Sequence, residues 1–244
     1  MLSKNKNLLP LFIMISLLSW ACNKESSNIS YGQIRGVLRL VDDLNNPQPF
    51  AGMQVTAENT GISTVSDSAG RYILNGLQNG KYNLVYSKPG YGTYTLVGFN
   101  NNGDAYNNPS IVPLVTLGKF STTTFSSMTI NIHNDSVIMR PSIDPAGTPD
   151  QPRGIRFFYG TSSDVSSALY TAYSKVFQLN NATGALKVGF DYFYSLGFHS
   201  GDSIYIKGYG DAFFSNDYDD PNTGKHVFPN LNQTSGAASS FLLP

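Results

Sequence analysis

Residues 66–74, Ser66-Asp67-Ser68-Ala69-Gly70-Arg71-Tyr72-Ile73-Leu74, are a turn that runs directly into a strand, and they decide the fold class. Asp67 carries a side chain suited to accepting backbone N–H bonds. Gly70 takes a positive φ at no steric cost, and Tyr72-Ile73-Leu74 is a β-forming run. Outward from this unit the same grammar repeats. Asn75-Gly76 and Asn79-Gly80 are tight-turn signals, and Lys81-Tyr82-Asn83-Leu84-Val85-Tyr86 follows as another strand. Upstream, Ile34, Gly36, Leu38 and Leu40 alternate with Arg35, Val37 and Arg39, the period of a half-buried strand. Pro47-Gln48-Pro49 ends that strand and Met53-Gln54-Val55-Thr56-Ala57 begins the next. Four short strands in about 55 residues are the rhythm of a β-sandwich.

Further along, residues 100–109, rich in Asn and Gly, are expected to form an exposed loop, and residues 112–119 a closing strand. The Ser/Thr run at 121–127 marks an expected domain boundary. Beyond it, strands are expected at 128–132, 136–139, 154–159, 175–179, 185–192, 203–209 and 239–243. No stretch carries a helical period, although residues 166–173 could form one turn. The fold class is therefore all-β, with two β-sandwich domains in tandem.

The first half resembles a known family. Gly36-Val37, Pro49 to Val55, Thr64 to Tyr72, Leu77-Gln78-Asn79-Gly80-Lys81-Tyr82 and Ser87-Lys88-Pro89-Gly90-Tyr91 are similar, in order, to the carboxypeptidase regulatory-like domain. The resemblance implies a prealbumin-like, carbohydrate-binding-like sandwich and a non-catalytic accessory module. The second half resembles fibronectin type III or immunoglobulin-like domains in strand rhythm only.

The start of the chain bears on location. Lys4 and Lys6 precede an apolar run from Leu8 to Trp20, followed by Ala21-Cys22, the order of an export signal. The run is about 13 residues, short of the roughly 20 that cross a bilayer as a stable helix. Leu18-Ser19-Trp20-Ala21-Cys22 resembles a lipobox of Bacteroidota type, departing from the usual pattern at Ser19 and Trp20. The resemblance implies cleavage before Cys22 and diacylglycerol on its thiol; the other reading is an ordinary signal peptide with a cysteine near the cut. Two or three acyl chains make a stable anchor where one is marginal. Cys22 is the only cysteine, so it has no disulfide or metal-pair partner within the chain. Asn23-Lys24-Glu25-Ser26-Ser27 resembles the export signal of surface lipoproteins, and is equally a polar tether. The expected organisation is a signal peptide at 1–21, a tether at 22–31, the regulatory-like sandwich at 32–119 and the second sandwich at 120–244. The expected location is the outer membrane, lipid-anchored and surface-exposed.

Composition limits the partners. Losing Lys4 and Lys6 with the signal leaves 14 basic against 16 acidic side chains. That balance lacks the clustered Lys and Arg that phosphates demand, so nucleic acid is set aside. A zinc peptidase needs two histidines and a glutamate as ligands and a second glutamate for acid–base work. Here His133, His199 and His226 are unpaired in spacing, and Glu25 and Glu58 are the only glutamates. Gly197-Phe198-His199-Ser200-Gly201-Asp202 reads as a Gly-rich turn rather than a triad, whose members converge from separate elements. Asp217, Asp219 and Asp220 have the oxygen-rich setting of a Ca2+ site, yet residues 220–225 are equally a turn with Gly224 at positive φ. No cofactor is implied. For a glycan, Tyr91, Tyr94 and Tyr106 are the candidate contacts, since the lone tryptophan, Trp20, leaves with the signal. Asp67-Ser68-Ala69, Asp135-Ser136-Val137 and Asp202-Ser203-Ile204 resemble an O-glycosylation motif, with Ser68, Ser136 and Ser203 as acceptors. These features point to a non-enzymatic envelope protein that contacts a polysaccharide or another envelope protein. A component of an outer-membrane transport or assembly complex is the alternative, and a hydrolase of unrecognised type a third reading.

Overall fold

The structure, a computed structural model, describes residues 31–104 and 107–244. The expected export segment, Cys22 and Tyr106 lie outside the described residues.

The first unit contains β1 (Tyr31–Val41), β2 (Pro47–Gln48), β3 (Gln54–Ala57), β4 (Ile62–Val65), β5 (Arg71–Gln78), β6 (Gly80–Ser87), β7 (Tyr94–Asn101), β8 (Ser110–Ile111) and β9 (Val115–Gly118). One sheet runs β2-β1-β5, with β8 and β9 parallel to β1, and the facing sheet runs β4-β3-β6-β7. The period-two pattern of β1 turns Ile34, Leu38 and Leu40 into the core, where Val55, Leu74, Leu84 and Tyr86 meet them. Before β5 the turn forms as expected. Asp67 Oδ1 accepts the N–H groups of Ala69 (2.9 Å) and Arg71 (2.8 Å). Gly70 has φ +75°, and a Cβ there would stand 2.2 Å from the carbonyl oxygen of Leu38.

Three expectations change in this half and at its end. Asn75-Gly76 is not a turn: β5 runs through it, and Gly76, at φ +77°, is the extra residue of a bulge facing Gly32 and Gln33. A positive-φ glycine serves a bulge as readily as a turn. Asn79-Gly80 is a corner between sheets, because β5 pairs with β1 whereas β6 pairs with β3 and β7. Nor are residues 100–109 all loop. Asn101 is buried in β7 and its Nδ2 donates to the carbonyl oxygens of Leu77 (3.3 Å) and Gln78 (3.0 Å). Its amide supplies hydrogen bonds the sheet corner lacks.

The second unit contains β10 (Thr124–His133), β11 (Ser136–Asp144), β12 (Arg153–Gly160), β13 (Ala172–Tyr173), β14 (Phe177–Leu179), β15 (Leu186–Gly189), α1 (Phe190–Ser195), β16 (Ser203–Asp211), β17 (Tyr218–Asp219), β18 (His226–Val227) and β19 (Ser239–Leu242). Its sheets run β10-β11-β15 and β13-β12-β16-β19, with β14 beside β12 and β17-β18 as a separate hairpin. Between the two larger sheets lie Phe125, Val137, Met139, Phe157 and Tyr159. β12 is buried on both faces, so its alternation sends Phe158 the opposite way, into a second cluster with Tyr209, Phe228 and Leu231. Residues 185–192 are not one strand: the chain turns into α1 at Phe190, and Phe190 and Phe193 share its buried side. Two aromatics three residues apart fit one helical face, a spacing that period-two reading passes over. Among the described residues no helix is long and apolar enough to cross a membrane.

In the 121–127 run Ser121, Thr123 and Phe125 are buried, whereas Thr122, Ser126 and Ser127 are exposed. Polar side chains hold the junction between the units. Asn216 Oδ1 accepts the N–H of Gly118 (2.8 Å) while its Nδ2 donates to the carbonyl of Thr116 (2.7 Å). Asn230, fully buried, donates from Nδ2 to the Gly118 carbonyl (2.6 Å) and accepts at Oδ1 from the N–H of Asn216 (2.7 Å). The edge of β9 away from β1 is thus closed by asparagine amides in place of a strand. Nearby, Asp43 Oδ2 accepts from the backbone N–H (2.9 Å) and hydroxyl (2.6 Å) of Thr122 and pairs with Arg153 at 3.2 Å.

Candidate binding face at the junction

β17 and β18 are two-residue strands held by the turn between them. Asp220 Oδ1 accepts the N–H of Asn222 (2.9 Å), its Oδ2 accepts the hydroxyl of Thr223 (2.7 Å), and Gly224 has φ +66°. These bonds hold the Asp220 carboxyl below the usual carboxylate range. The hairpin register sets Asp219 opposite His226 and Tyr218 opposite Val227.

That register assembles a polar and aromatic face. His226 Nδ1 lies 2.7 Å from Asp219 Oδ1, and its Nε2 lies 3.4 Å from Asp217 Oδ2. The imidazole stacks on Tyr173 of β13, with centroids 5.4 Å apart and planes 12° apart, and meets Phe228 at 4.8 Å. Tyr170 ties down the same strand by donating its hydroxyl to the His226 carbonyl oxygen (2.8 Å). Beneath lies the buried pair Arg156 Nε to Asp211 Oδ2 at 2.8 Å, with the guanidinium 4.5 Å from the Phe228 centroid. Burial holds the Asp211 carboxyl above its ordinary range, against the pull of Arg156.

On the first unit, Tyr94 of β7 stacks on Tyr86 and meets Tyr218 edge to face at 6.0 Å. Burial, and then the charge of Asp217, raises the Tyr94 phenol. Beside this contact is a cleft of about 310 Å³ whose walls include Tyr94, Leu96 and Val115 from one unit and Phe214, Asn216 and Asp217 from the other. Asp217 links this cleft to His226, whose stack with Tyr173, 36% exposed, lies on the side of the hairpin away from Tyr218.

The expected site residues scatter differently. Tyr94 lines the cleft at the junction. Tyr91 does not: it is 5% exposed, its ring lies 5.4 Å from Lys88 Nζ and 5.9 Å from Lys119 Nζ, and it closes the sandwich. Asp217 and Asp219 turn to His226 and Asp220 to its own turn, so the three do not converge as a calcium site. Among the described residues no group of three His, Cys, Asp or Glu side chains is arranged to hold a metal. Ser136 is fully buried and donates to the His133 carbonyl oxygen (2.8 Å), which closes it to modification in the folded chain. Ser68 and Ser203 are exposed. His199 stands in an open turn with Gly197 and Gly201 at positive φ, and Asp202 Oδ2 accepts its N–H (2.7 Å). Tyr173, Tyr218 and His226 escaped the reading of the sequence. The signal for two of them was the Asp220-Pro221-Asn222-Thr223-Gly224 turn, which makes a hairpin of its flanks; nothing local ties Tyr173 to them.

Fold and face together define an all-β protein of two sandwich units carrying an aromatic, acid-edged surface where they meet. Within it, residues 33–112 match the carboxypeptidase regulatory-like domain family. No curated protein matches the chain. Among solved structures it is similar to a proposed carbohydrate binding protein from Bacteroides uniformis (12% identity, 87% of this chain and 99% of that one, TM-score 0.32). It is also similar to a DUF3823 family protein from Bacteroides ovatus (10% identity, 88% and 100%, TM-score 0.29). A third likeness is to a type II cohesin–X-dockerin complex from Acetivibrio cellulolyticus (17% identity, TM-score 0.30), covering 37% of this chain and spanning 59% of that one.

Proposed function

We propose that this chain is a non-enzymatic, lipid-anchored protein of the outer membrane that binds a polysaccharide through the Tyr173–His226 stack and the Asp217-edged cleft beside Tyr94. In this reading residues 1–21 are a cleaved signal, Cys22 carries the lipid, 22–31 are a tether, and 32–119 and 120–244 are two modules, the second fibronectin type III-like. The observation that carries the sugar-binding reading is the stacked Tyr173–His226 pair edged by Asp217 and Asp219. A pyranose presents an apolar C–H face that suits the negative face of an aromatic ring, and its hydroxyls donate to flanking carboxylates. The regulatory-like match over residues 33–112 supports an accessory rather than a catalytic role.

The test is a polysaccharide array followed by calorimetry on the chain from residue 23. Tyr173→Ala is expected to lower affinity about tenfold, near the ~1.4 kcal/mol that one aromatic contact carries. An array without hits, together with co-purification of an outer-membrane protein from native envelope, would replace this reading with the transport or assembly role. Turnover of a glycan or peptide abolished by one substitution would make the protein an enzyme.

A further inference from the structure

The outer face of the sheet formed by β5, β1 and β8 is covered by nothing in the described chain and is built unlike an ordinary solvated strand face. Val37 of β1, Ile73 of β5, Ile111 of β8 and the adjoining Leu114 are between 42% and 63% exposed. They line a shallow groove of about 430 Å³ together with Arg35 and Arg71. The register interleaves the two chemistries: Arg35 pairs with Ile73 and with Ile111, and Val37 pairs with Arg71. Arg39, exposed two residues beyond Val37, continues the row. None of these three arginines is ion-paired with a carboxylate among the described residues; Arg35 Nε donates to Gln33 Oε1. In a chain without basic excess, a cationic and apolar checkerboard on one sheet face is a local feature, complementary to a surface with anionic groups over hydrocarbon.

The structure assigns this face to docking on an anionic phospholipid surface. Arginine forks match lipid phosphates, and branched aliphatic side chains between them reach the boundary below. Placement in the chain favours a membrane over a protein partner. β1, which supplies Arg35, Val37 and Arg39, begins at Tyr31, nine residues after Cys22. Nine residues reach at most about 30 Å when extended, so a lipid on Cys22 keeps the face within range of the bilayer. Four half-exposed aliphatic side chains make a small patch for a stable protein interface, which buries roughly 800 Å² on each partner. A tether supplies high local concentration, and a weak patch then suffices. The placement argument rests on the anchor reading. The experiment below omits the anchor, so its failure leaves Cys22 untouched.

The chain from residue 23, which retains every described residue, is sedimented with phosphatidylcholine vesicles and with vesicles also containing phosphatidylglycerol. Binding to the anionic vesicles at least about fivefold above the neutral ones, falling as salt rises, is expected. The paired change Arg35→Glu and Arg71→Glu should bring it to the neutral level, and Ile73→Ser with Ile111→Ser should weaken it about threefold. Circular dichroism and thermal unfolding of each variant establish that it is folded. Equal binding to both vesicles, no binding, or unchanged binding by the folded Arg variant overturns the assignment. A wild-type dimer made monomeric by Ile111→Asp also overturns it, making the face an interface between copies of this chain.

Discussion

Tyr72 and Tyr86 share a buried hydroxyl–hydroxyl bond of 2.7 Å, and the two rings meet edge to face at 5.9 Å. Burial pushes the Tyr72 phenol up to about 12; the Tyr86 phenol goes higher still, through burial and then the charge of Tyr72. Both ionise near pH 10 once unfolded. The stability they contribute is therefore complete below about pH 10 and declines above it, the share of Tyr72 being lost as pH rises through 12 and that of Tyr86 at higher pH. Denaturant midpoints measured from pH 8 to 12 are expected to fall as tyrosinate absorbance rises, and Tyr72→Phe with Tyr86→Phe should shrink that fall. At neutral pH Tyr86→Phe alone should cost about 1 kcal/mol, since the Tyr72 hydroxyl keeps no partner there. Arg156→Met acts at the same scale. It leaves the Asp211 carboxylate buried without its cation, and chemical denaturation should record a loss of about 3–5 kcal/mol. The role of Arg156 was not legible in Arg153 to Tyr159, where the alternation says which residues go in and leaves open that one layer would contain a charge.

At the scale of the element, β9 shows how a strand is completed by side chains. Its inner edge pairs with β1 from Leu38 to Val41, and its outer edge meets Asn216 and Asn230. Asn230→Ala should leave the N–H of Asn216 unmet, at about 1–3 kcal/mol, and the Gly118 carbonyl with only its 3.3 Å bond from the N–H of Gly92. Hydrogen exchange is the direct check, with faster exchange at Gly118 and Asn216 expected before any change in the β10-β11-β15 sheet. Strand positions such as Ile34 to Leu40 were readable because period two needs only neighbours. α1 and the β5-to-β6 corner were not, because Phe190 and Phe193 are committed by the core they fill, and Asn79-Gly80 has the same local chemistry whether its flanks pair or part.

For the whole molecule, the proposed anchoring depends on residues 1–22 and the proposed glycan binding on the cleft between two units. Cys22→Ser is expected to abolish incorporation of labelled palmitate and leave an unprocessed precursor; a variant that still carried label would remove the anchor from the proposal. The Tyr94–Tyr218 contact and the cleft beside it exist only with the units docked. Loosening the junction through Asn230 should then weaken glycan binding along with stability.

Alternation, turn residues and the order of the regulatory-like motifs were enough to determine an all-β chain, because period two and positive-φ glycines act within a few residues of themselves. The order of basic, apolar and small residues before Cys22 is local in the same way and supports the proposed export and anchoring. What only the tertiary structure decided is which polar residues meet. Asp217 and Asp219 turn to His226 rather than to one another, Tyr91 is closed in while Tyr94 lines the cleft, and Ser136 is buried as Ser68 stays open. Those outcomes depend on sheet pairing and on the docking of two units across residues 118–123, contacts that span a hundred residues and leave no local pattern.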